Sequence, residues 1–175
     1  MRKIAMRDFI WMGKPKVWKK DYKSLTLTVE PQMKIPTGPL LLAVTDDDFT
    51  CSMNLSLTDG NVFTGVTIYH LETDYVAVGL SKEFLEMHIV IAGYANHSRL
   101  AVHTDENEIL WTIKRTGSHA SIGYRTSETA PITWVGSYHI PGIERSVSFG
   151  PYFSNEGTQP STVSMHSLDY RKESR

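Results

Sequence analysis

Acidic pairs are the first place to look for sugar or acid–base chemistry in this sequence. Glu72-Thr73-Asp74 sets two carboxylates two residues apart, the spacing that turns both toward one face of a strand. Carboxyl groups about 5 Å apart can serve as nucleophile and acid in a retaining glycosidase. The same three residues read equally as a solvated hairpin turn. Asp105 and Glu106 are neighbours on opposite faces, and with Glu108 they read as a turn. Asp46-Asp47-Asp48 offers oxygen ligands ahead of a strand, but calcium needs ~6–8 of them and the Asp-x-Asp-x-Asp-Gly spacing is missing. The seven histidines, His70, His88, His97, His103, His119, His139 and His166, contain no His-x-x-x-His or His-Glu pair. A zinc site would have to be assembled from distant strands. The expectation is no metal and no cofactor.

Nucleophiles fare no better. Cys51 alternates with Phe49 and Met53 on an apolar face, which suits a small core residue rather than an activated thiolate. Ser118, Ser121 and Ser137 lack the strand–turn–helix setting of a serine nucleophile. Aromatic residues on the polar side of strands remain. Tyr69 and Tyr75 point away from Val66, Ile68, Val76 and Val78; Arg125 points away from Ile122 and Tyr124; Tyr152 points away from Phe149 and Phe153. Sugar rings stack their C–H faces on aromatic rings, and their hydroxyls bond to arginine forks. The expected site is therefore carbohydrate-like and exposed on an outer concave face, built on Tyr69, Tyr75, Arg125 and Tyr152. The competing role for such tyrosines is packing under a loop or against cross-strand partners. Trp18, Trp111 and Trp134 are expected in the core.

Period two dominates the elements that must position these residues. Leu25, Leu27 and Val29 alternate with Thr26, Thr28 and Glu30, an apolar-in, polar-out strand. Pro31, Pro36, Gly38 and Pro39 break the chain into an extended loop, because proline lacks the ladder donor. Phe49 to Leu57 alternates again and ends at the turn Asp59-Gly60-Asn61. Further alternating runs cover Val66–Ile68, Val76–Leu80, Ile109–Ile113, Ala120–Tyr124, Val147–Phe149 and Val163–Ser167. Leu85 to Ala92 is denser in apolar residues, and Ser81 to Met87 is the one helix candidate, a single turn. About ten short strands without intervening helices predict two stacked antiparallel sheets. With no strand–Gly-rich loop–helix unit, a doubly wound nucleotide-binding fold is excluded.

Composition bounds the rest. A chain of 175 residues with 41% hydrophobic residues is read as one globular domain over residues 1–175, able to bury roughly 70% of its unfolded surface. Eighteen basic residues against nineteen acidic ones give a net charge of −1. That balance excludes the basic footprint of nucleic-acid binding and the polybasic stretch drawn to anionic membranes. One cysteine excludes an intrachain disulfide and a multi-cysteine zinc site. No segment reaches the ~20 apolar residues of a membrane span, and no signal-peptide core precedes Lys14 and Pro15, so the expected compartment is the cytoplasm.

Two stretches carry a family likeness. One is Gly65-Val66-Thr67-Ile68-Tyr69-His70-Leu71-Glu72-Thr73-Asp74-Tyr75-Val76-Ala77-Val78-Gly79-Leu80. The other runs from Trp111-Thr112-Ile113-Lys114-Arg115-Thr116-Gly117 through Tyr124 and Trp134 to Phe149-Gly150-Pro151-Tyr152-Phe153-Ser154. Together with Trp11 to Leu27 and Asp48-Phe49-Thr50, they resemble the concanavalin A-like jelly-roll domains attached to bacterial β-xylosidases and related glycosidases. The resemblance implies an all-β jelly-roll sandwich of two antiparallel sheets. Jelly-roll glucanases of this architecture carry a Glu-x-Asp-x-Glu or Glu-x-Asp-x-x-Glu array on one strand. Here Glu72 and Asp74 match its first two carboxylates, but Val76 and Ala77 occupy both positions open to the third.

Three functions follow from this reading. The leading one is a non-catalytic carbohydrate-binding or glycosidase-accessory domain, with an oligo- or polysaccharide as partner. The second is a sugar-active enzyme whose carboxylates, among Glu72, Asp74, Glu83, Asp105, Glu106, Glu108 and Glu128, are assembled from separate strands. The third is a ligand-free structural domain that forms a homodimer or larger homo-oligomer.

Overall fold

The structure is a computed structural model that describes residues 3–33, 38–58 and 61–174. Pro36 of the expected loop and Asp59-Gly60 of the expected turn lie outside the described residues. A short 3-10 turn at Met6–Asp8 precedes strands β1 (Ile10–Met12), β2 (Trp18–Lys20), β3 (Leu25–Val29), β4 (Leu40–Thr45) and β5 (Phe49–Ser56). There follow β6 (Val62–Leu71), β7 (Asp74–Leu80), β8 (Phe84–Ile91), β9 (Tyr94–Ala101) and β10 (Glu108–Thr116). The last four are β11 (His119–Arg125), β12 (Thr133–His139), β13 (Val147–Asn155) and β14 (Ser161–Lys172).

These strands form two seven-stranded sheets, β1-β4-β13-β6-β7-β8-β9 and β12-β11-β10-β5-β14-β3-β2, in which neighbouring strands run antiparallel. The chain is an all-β two-sheet sandwich, as the alternating pattern predicted. Inward side chains of the first sheet, among them Val66, Ile68, Val76, Val78 and Phe149, meet Phe49, Cys51, Met53, Trp111, Ile113 and Ile122 of the second. Phe149 packs against Phe49 at a ring separation of 4.5 Å and against the edge of Phe9 at 5.6 Å. Cys51 lies in this core with no exposed surface, and burial pushes its thiol well above the usual range, so it is not a nucleophile.

The helix expected over Ser81–Met87 is a strand instead. Ser81 closes a tight turn by accepting the amides of Glu83 and Phe84 on its hydroxyl (3.2 and 3.0 Å), and β8 starts at Phe84. From there Phe84, Glu86, His88 and Val90 take one face, and Leu85, Met87, Ile89 and Ile91 the other, a period-two pattern no helix tolerates. The strand count also rises above ten, because Leu40–Thr45, Thr133–His139 and the short edges β1 and β2 pair as well. The run Leu40-Leu41-Leu42-Ala43 is buried on both faces, which erases the alternation that marks a strand in sequence.

Arg115, also fully buried, ties three loops together. Its guanidinium donates to the carbonyls of Gly117 and Asp46 at 2.9 Å and to that of Ile143, and it pairs with Asp48 at 3.3 Å. Asp48 also accepts the Gly117 amide, while Asp47 pairs with Lys172. The Asp48 carboxylate and the Asp46 carbonyl thus serve Arg115, and the Asp47 carboxylate serves Lys172. Among the described residues the three aspartates form no metal-ligating group.

Candidate functional site

The outer face of the first sheet is organised in cross-strand rows. One row runs Tyr152 (β13), Gly65 (β6), Gly79 (β7), Glu86 (β8), Arg99 (β9). The next runs Gly150, Thr67, Ala77, His88, His97, and the third Ser148, Tyr69, Tyr75, Val90, Ala95. Directly paired residues share a face, so each row is a line of neighbouring side chains. Leu40, Leu42, Phe63, Tyr69, Tyr75, Ala77 and Tyr152 bury one another on this side.

The two glycines open the first row. Three strand spacings of about 4.8 Å separate β13 from β8, and nothing larger than hydrogen stands between Tyr152 and Glu86. A β-carbon at Gly79 would lie 2.9 Å from the Tyr152 ring, and one at Gly65 would strike the Val78 carbonyl at 1.9 Å. The phenol therefore lies flat across β6 and β7, and its hydroxyl donates to Glu86 Oε1 at 2.6 Å. Ser154 Oγ donates to the same oxygen at 3.0 Å.

Arg99 completes the group from the other side. One guanidinium nitrogen donates to Glu86 Oε2 at 3.0 Å and to Glu156 at 2.5 Å, bridging the two carboxylates. The guanidinium carbon lies 4.9 Å from the Phe63 ring centre and 5.5 Å from that of Phe84, a cation–π seat that fixes the fork. The rings of His88 and His97 stack at 4.1 Å, 13° from parallel, with their Nε2 atoms 3.5 and 3.7 Å from the Glu86 oxygens. Beside the group opens a cavity of about 190 Å³ lined by Gln32, Met33, Glu86, His88, Tyr152, Ser154, Asn155 and Glu156.

The electrostatics favour a fixed anion. Burial alone would push the Glu86 carboxyl up, but hydrogen bonds from His88, Tyr152 and Arg99 outweigh it and hold the group at about 2. The Tyr152 phenol goes the opposite way, raised well above its ordinary value by burial and by the carboxylate it serves, so it is a donor and not a base. Glu86 is thus an ionised acceptor at neutral pH and has no proton to give a leaving group.

No protein-family profile matches the sequence, and no curated protein does either. Solved structures do. A functionally unknown protein from Saccharomyces cerevisiae superposes with a TM-score of 0.79 at 12% identity, covering 98% of this chain and all of that one. A GH43 protein from Bacillus licheniformis gives 0.75 at 11% identity over 95% of this chain and 37% of its own. A xylan β-1,4-xylosidase from Bacillus halodurans gives 0.67 at 14% identity over 86% and 33%. The chain has the fold of these proteins. It spans the yeast protein entirely and about a third of the two bacterial chains, so the jelly-roll resemblance read from the sequence is supported at the level of fold.

Of the four residues expected to form the site, Tyr69, Tyr75 and Tyr152 share one cluster on the first sheet and Arg125 lies on the second. Tyr69, Tyr75 and Tyr152 face outward on the first sheet as alternation required, but they are 7%, 5% and 1% exposed. Tyr69 and Tyr75 stack on each other at 5.9 Å. They were expected as exposed platforms, and packing against one another and against Leu40, Leu42 and Phe63 corrects this by covering them. Arg125 lies on the outer face of the second sheet, where it donates to the Glu128 carbonyl at 2.7 Å and lines a separate groove of about 420 Å³ with Thr50, Ser52, Thr112 and Asp169. Alternation separates outward from inward, but does not say which sheet a strand joins. Glu72 and Thr73 form a hairpin turn, with Asp74 accepting the Ala92 amide.

The carboxylates that converge, Glu86 and Glu156, belong to neither acidic cluster of the sequence. Glu86, His88, His97 and Arg99 were not singled out. Their signal was present as Glu-x-His and His-x-Arg on facing strands, hidden by the apolar density of Leu85 to Ala92.

Proposed function

We propose that the chain is a non-catalytic carbohydrate-recognition domain of the glycosidase-accessory kind, with its site at Glu86 rather than on the exposed-tyrosine surface. The observation that carries this reading is a buried, ionised carboxylate locked by Tyr152, Ser154 and Arg99 beside a small cavity that it lines. Preorganised acceptors and donors of this kind suit the hydroxyls of a sugar, since a fixed group loses little entropy on binding. The cavity is smaller than the ~300–1,000 Å³ of pockets for drug-sized ligands. It suits one sugar ring or a chain end. The neighbouring folds support a glycosidase association, because a sandwich of this size makes up about a third of a xylosidase. Hydrolysis is disfavoured: of the two converging carboxylates, Glu86 is held deprotonated and both are bridged by Arg99.

The test is calorimetric titration of the full chain with xylotriose, after a glycan array has ranked other chain ends. Arg99→Ala removes a charge-assisted bond worth ~1.5–3 kcal/mol, so affinity should fall roughly 10–100-fold, while Arg125→Ala leaves it unchanged. No bound glycan on the array, or binding lost with Arg125→Ala and kept with Arg99→Ala, overturns the proposal.

A further inference from the structure

The outer face of the second sheet carries a groove that the Glu86 site does not use. Cross-strand pairing lays it out in rows over β11, β10, β5 and β14. Arg125 stands in a row with Leu110, Asn54 and Ser167, and Arg171 stands two rows on, with Thr50 and Lys114. Paired residues share a face, so the two arginines hold opposite corners, about 14 Å apart across three strand spacings and two rows apart along them. Between them lies the groove of about 420 Å³, where Thr50, Ser52, Thr112 and Ser167 offer hydroxyls and Leu110 and Ile132 an apolar margin. Across β14 it adjoins a second cavity, of about 600 Å³. Ser167 lines both, and Asp169 of the first pairs with Lys3 of the second at 3.2 Å.

We infer that this surface binds an acidic polysaccharide, a chain of uronate sugars whose carboxylates meet the arginines and whose hydroxyls meet the floor between them. Charge carries the assignment. Lys3, Arg7, Lys23, Arg125 and Arg171 line the two cavities against Asp169 and Glu128, on a chain whose net charge is −1. At the rim Lys114 offsets Glu173, which accepts the Thr50 hydroxyl at 2.6 Å, and His166 faces Glu108. Asp169 is shared between Lys3 and Arg171. Arg125 donates to the main-chain carbonyl of Glu128, so it is held in place without being neutralised. Arg7, Lys23 and Arg125 have no ion pair among the described residues. An arginine fork takes a carboxylate through two parallel bonds, and forks at opposite corners call for a ligand with more than one acid group. The hydroxyls between them donate and accept, as those of a sugar do. Nucleic acid would want aromatic platforms for its bases, and of the described residues lining either cavity Tyr22 is the one aromatic ring. A peptide adding as a strand would want a free edge, and β10 and β5 are paired on both sides.

Calorimetric titration of the full chain with tetragalacturonate tests this. The expected result is saturable binding that weakens roughly 10-fold or more between about 0.05 and 0.5 M salt, because charges at the surface are screened. Arg171 is 77% exposed, so Arg171→Ala removes a charge without opening the core. Arg171→Ala and Arg125→Ala should each weaken binding roughly 10-fold, through loss of a charge-assisted bond. Arg145→Ala, which removes one exposed charge from the loop before β13, should bind as the parent does. The Glu86 site is read with neutral xylotriose, so this assignment and the carbohydrate reading there fail separately. Absence of binding at low salt, an affinity that salt leaves unchanged, parent-like affinity in both Arg125→Ala and Arg171→Ala, or an equal loss in Arg145→Ala overturns the assignment. So does tighter binding of an RNA or a poly-glutamate of the same charge.

Discussion

Tyr152→Phe isolates the bond that organises the Glu86 group, because it removes one hydroxyl and keeps the ring. The lost contact is a 2.6 Å hydrogen bond to a buried carboxylate, and bonds to charged groups contribute ~1.5–3 kcal/mol. Ser154 and Arg99 remain on the carboxylate, so no orphaned ion adds to the loss. For a chain of this size ~1 kcal/mol moves the melting temperature about 2–4 °C, giving a fall of roughly 3–12 °C. The effect should depend on pH with a definite sign. Glu86 is held at about 2 against an ordinary value of 4.5, and a shift of that size corresponds to about 3 kcal/mol. A depressed folded-state value means stability present above pH 4.5 and lost as pH falls toward 2. The unfolded chains titrate alike, so the wild-type advantage over Tyr152→Phe should be full at pH 7, persist until the variant's less depressed carboxyl begins to protonate, and be lost as pH falls from there toward 2. Urea denaturation followed by tryptophan fluorescence, with chelator present, measures it at each pH. A difference below about 0.5 kcal/mol at pH 7, or one that stays constant down to about pH 2, would refute the assignment of Tyr152 as the principal donor to Glu86.

Arg115→Met should lower stability by about 3–5 kcal/mol, because it strands the partners of a buried cation; Arg115→Lys should not restore it, since an ammonium lacks the planar fork that reaches three carbonyls. Equilibrium denaturation of both variants decides. Tyr69→Ala and Tyr75→Ala should each cost about 3 kcal/mol or more as buried aromatic truncations, visible as a clear drop in melting temperature, whereas exposed platforms would leave it near the parent value. Cys51 should resist iodoacetamide in the native protein at pH 8 and react only on unfolding, so labelling followed by mass spectrometry reads global opening; rapid native labelling would place the thiol at the surface.

The sandwich was legible because alternation is a backbone property that survives in sequence. Leu25-Leu27-Val29 and Phe49-Cys51-Met53 face the core as their spacing requires. Where both faces are buried, as at Leu40-Leu41-Leu42-Ala43, the period vanishes and the strand with it. The site was harder for a related reason. An outward residue on a flat sheet is exposed, and Tyr69, Tyr75 and Tyr152 were read on that assumption. Neighbouring outward side chains on other strands, Leu40, Leu42 and Phe63 among them, bury them instead. Sheet membership is likewise non-local: Arg125 and Tyr152 are both outward, on opposite sides of the molecule. Glu86 was missed because a single acid in an apolar run looks like a helix face until its partners on β9 and β13 are known.

The Glu86 cluster is hard to account for as a stabilising device alone. A buried ion pair gains little over apolar residues of the same volume, since desolvation offsets the Coulomb attraction. The rows on either side show that this sheet face can be closed with Tyr69, Tyr75, Val90 and Phe63. At its centre the sequence places instead a carboxylate, two imidazoles, a guanidinium and two glycines, with the glycines clearing a path for one phenol. Each of these residues disfavours simple core packing, and Glu86 and His88 line the small cavity together with the Tyr152 phenol. On the reading proposed above, this buried polar group beside a cavity meets a ligand. Its polarity narrows the ligand's chemistry. An anion held by three donors repels other anions and draws hydroxyls, and the His88 ring lines the cavity where they would dock.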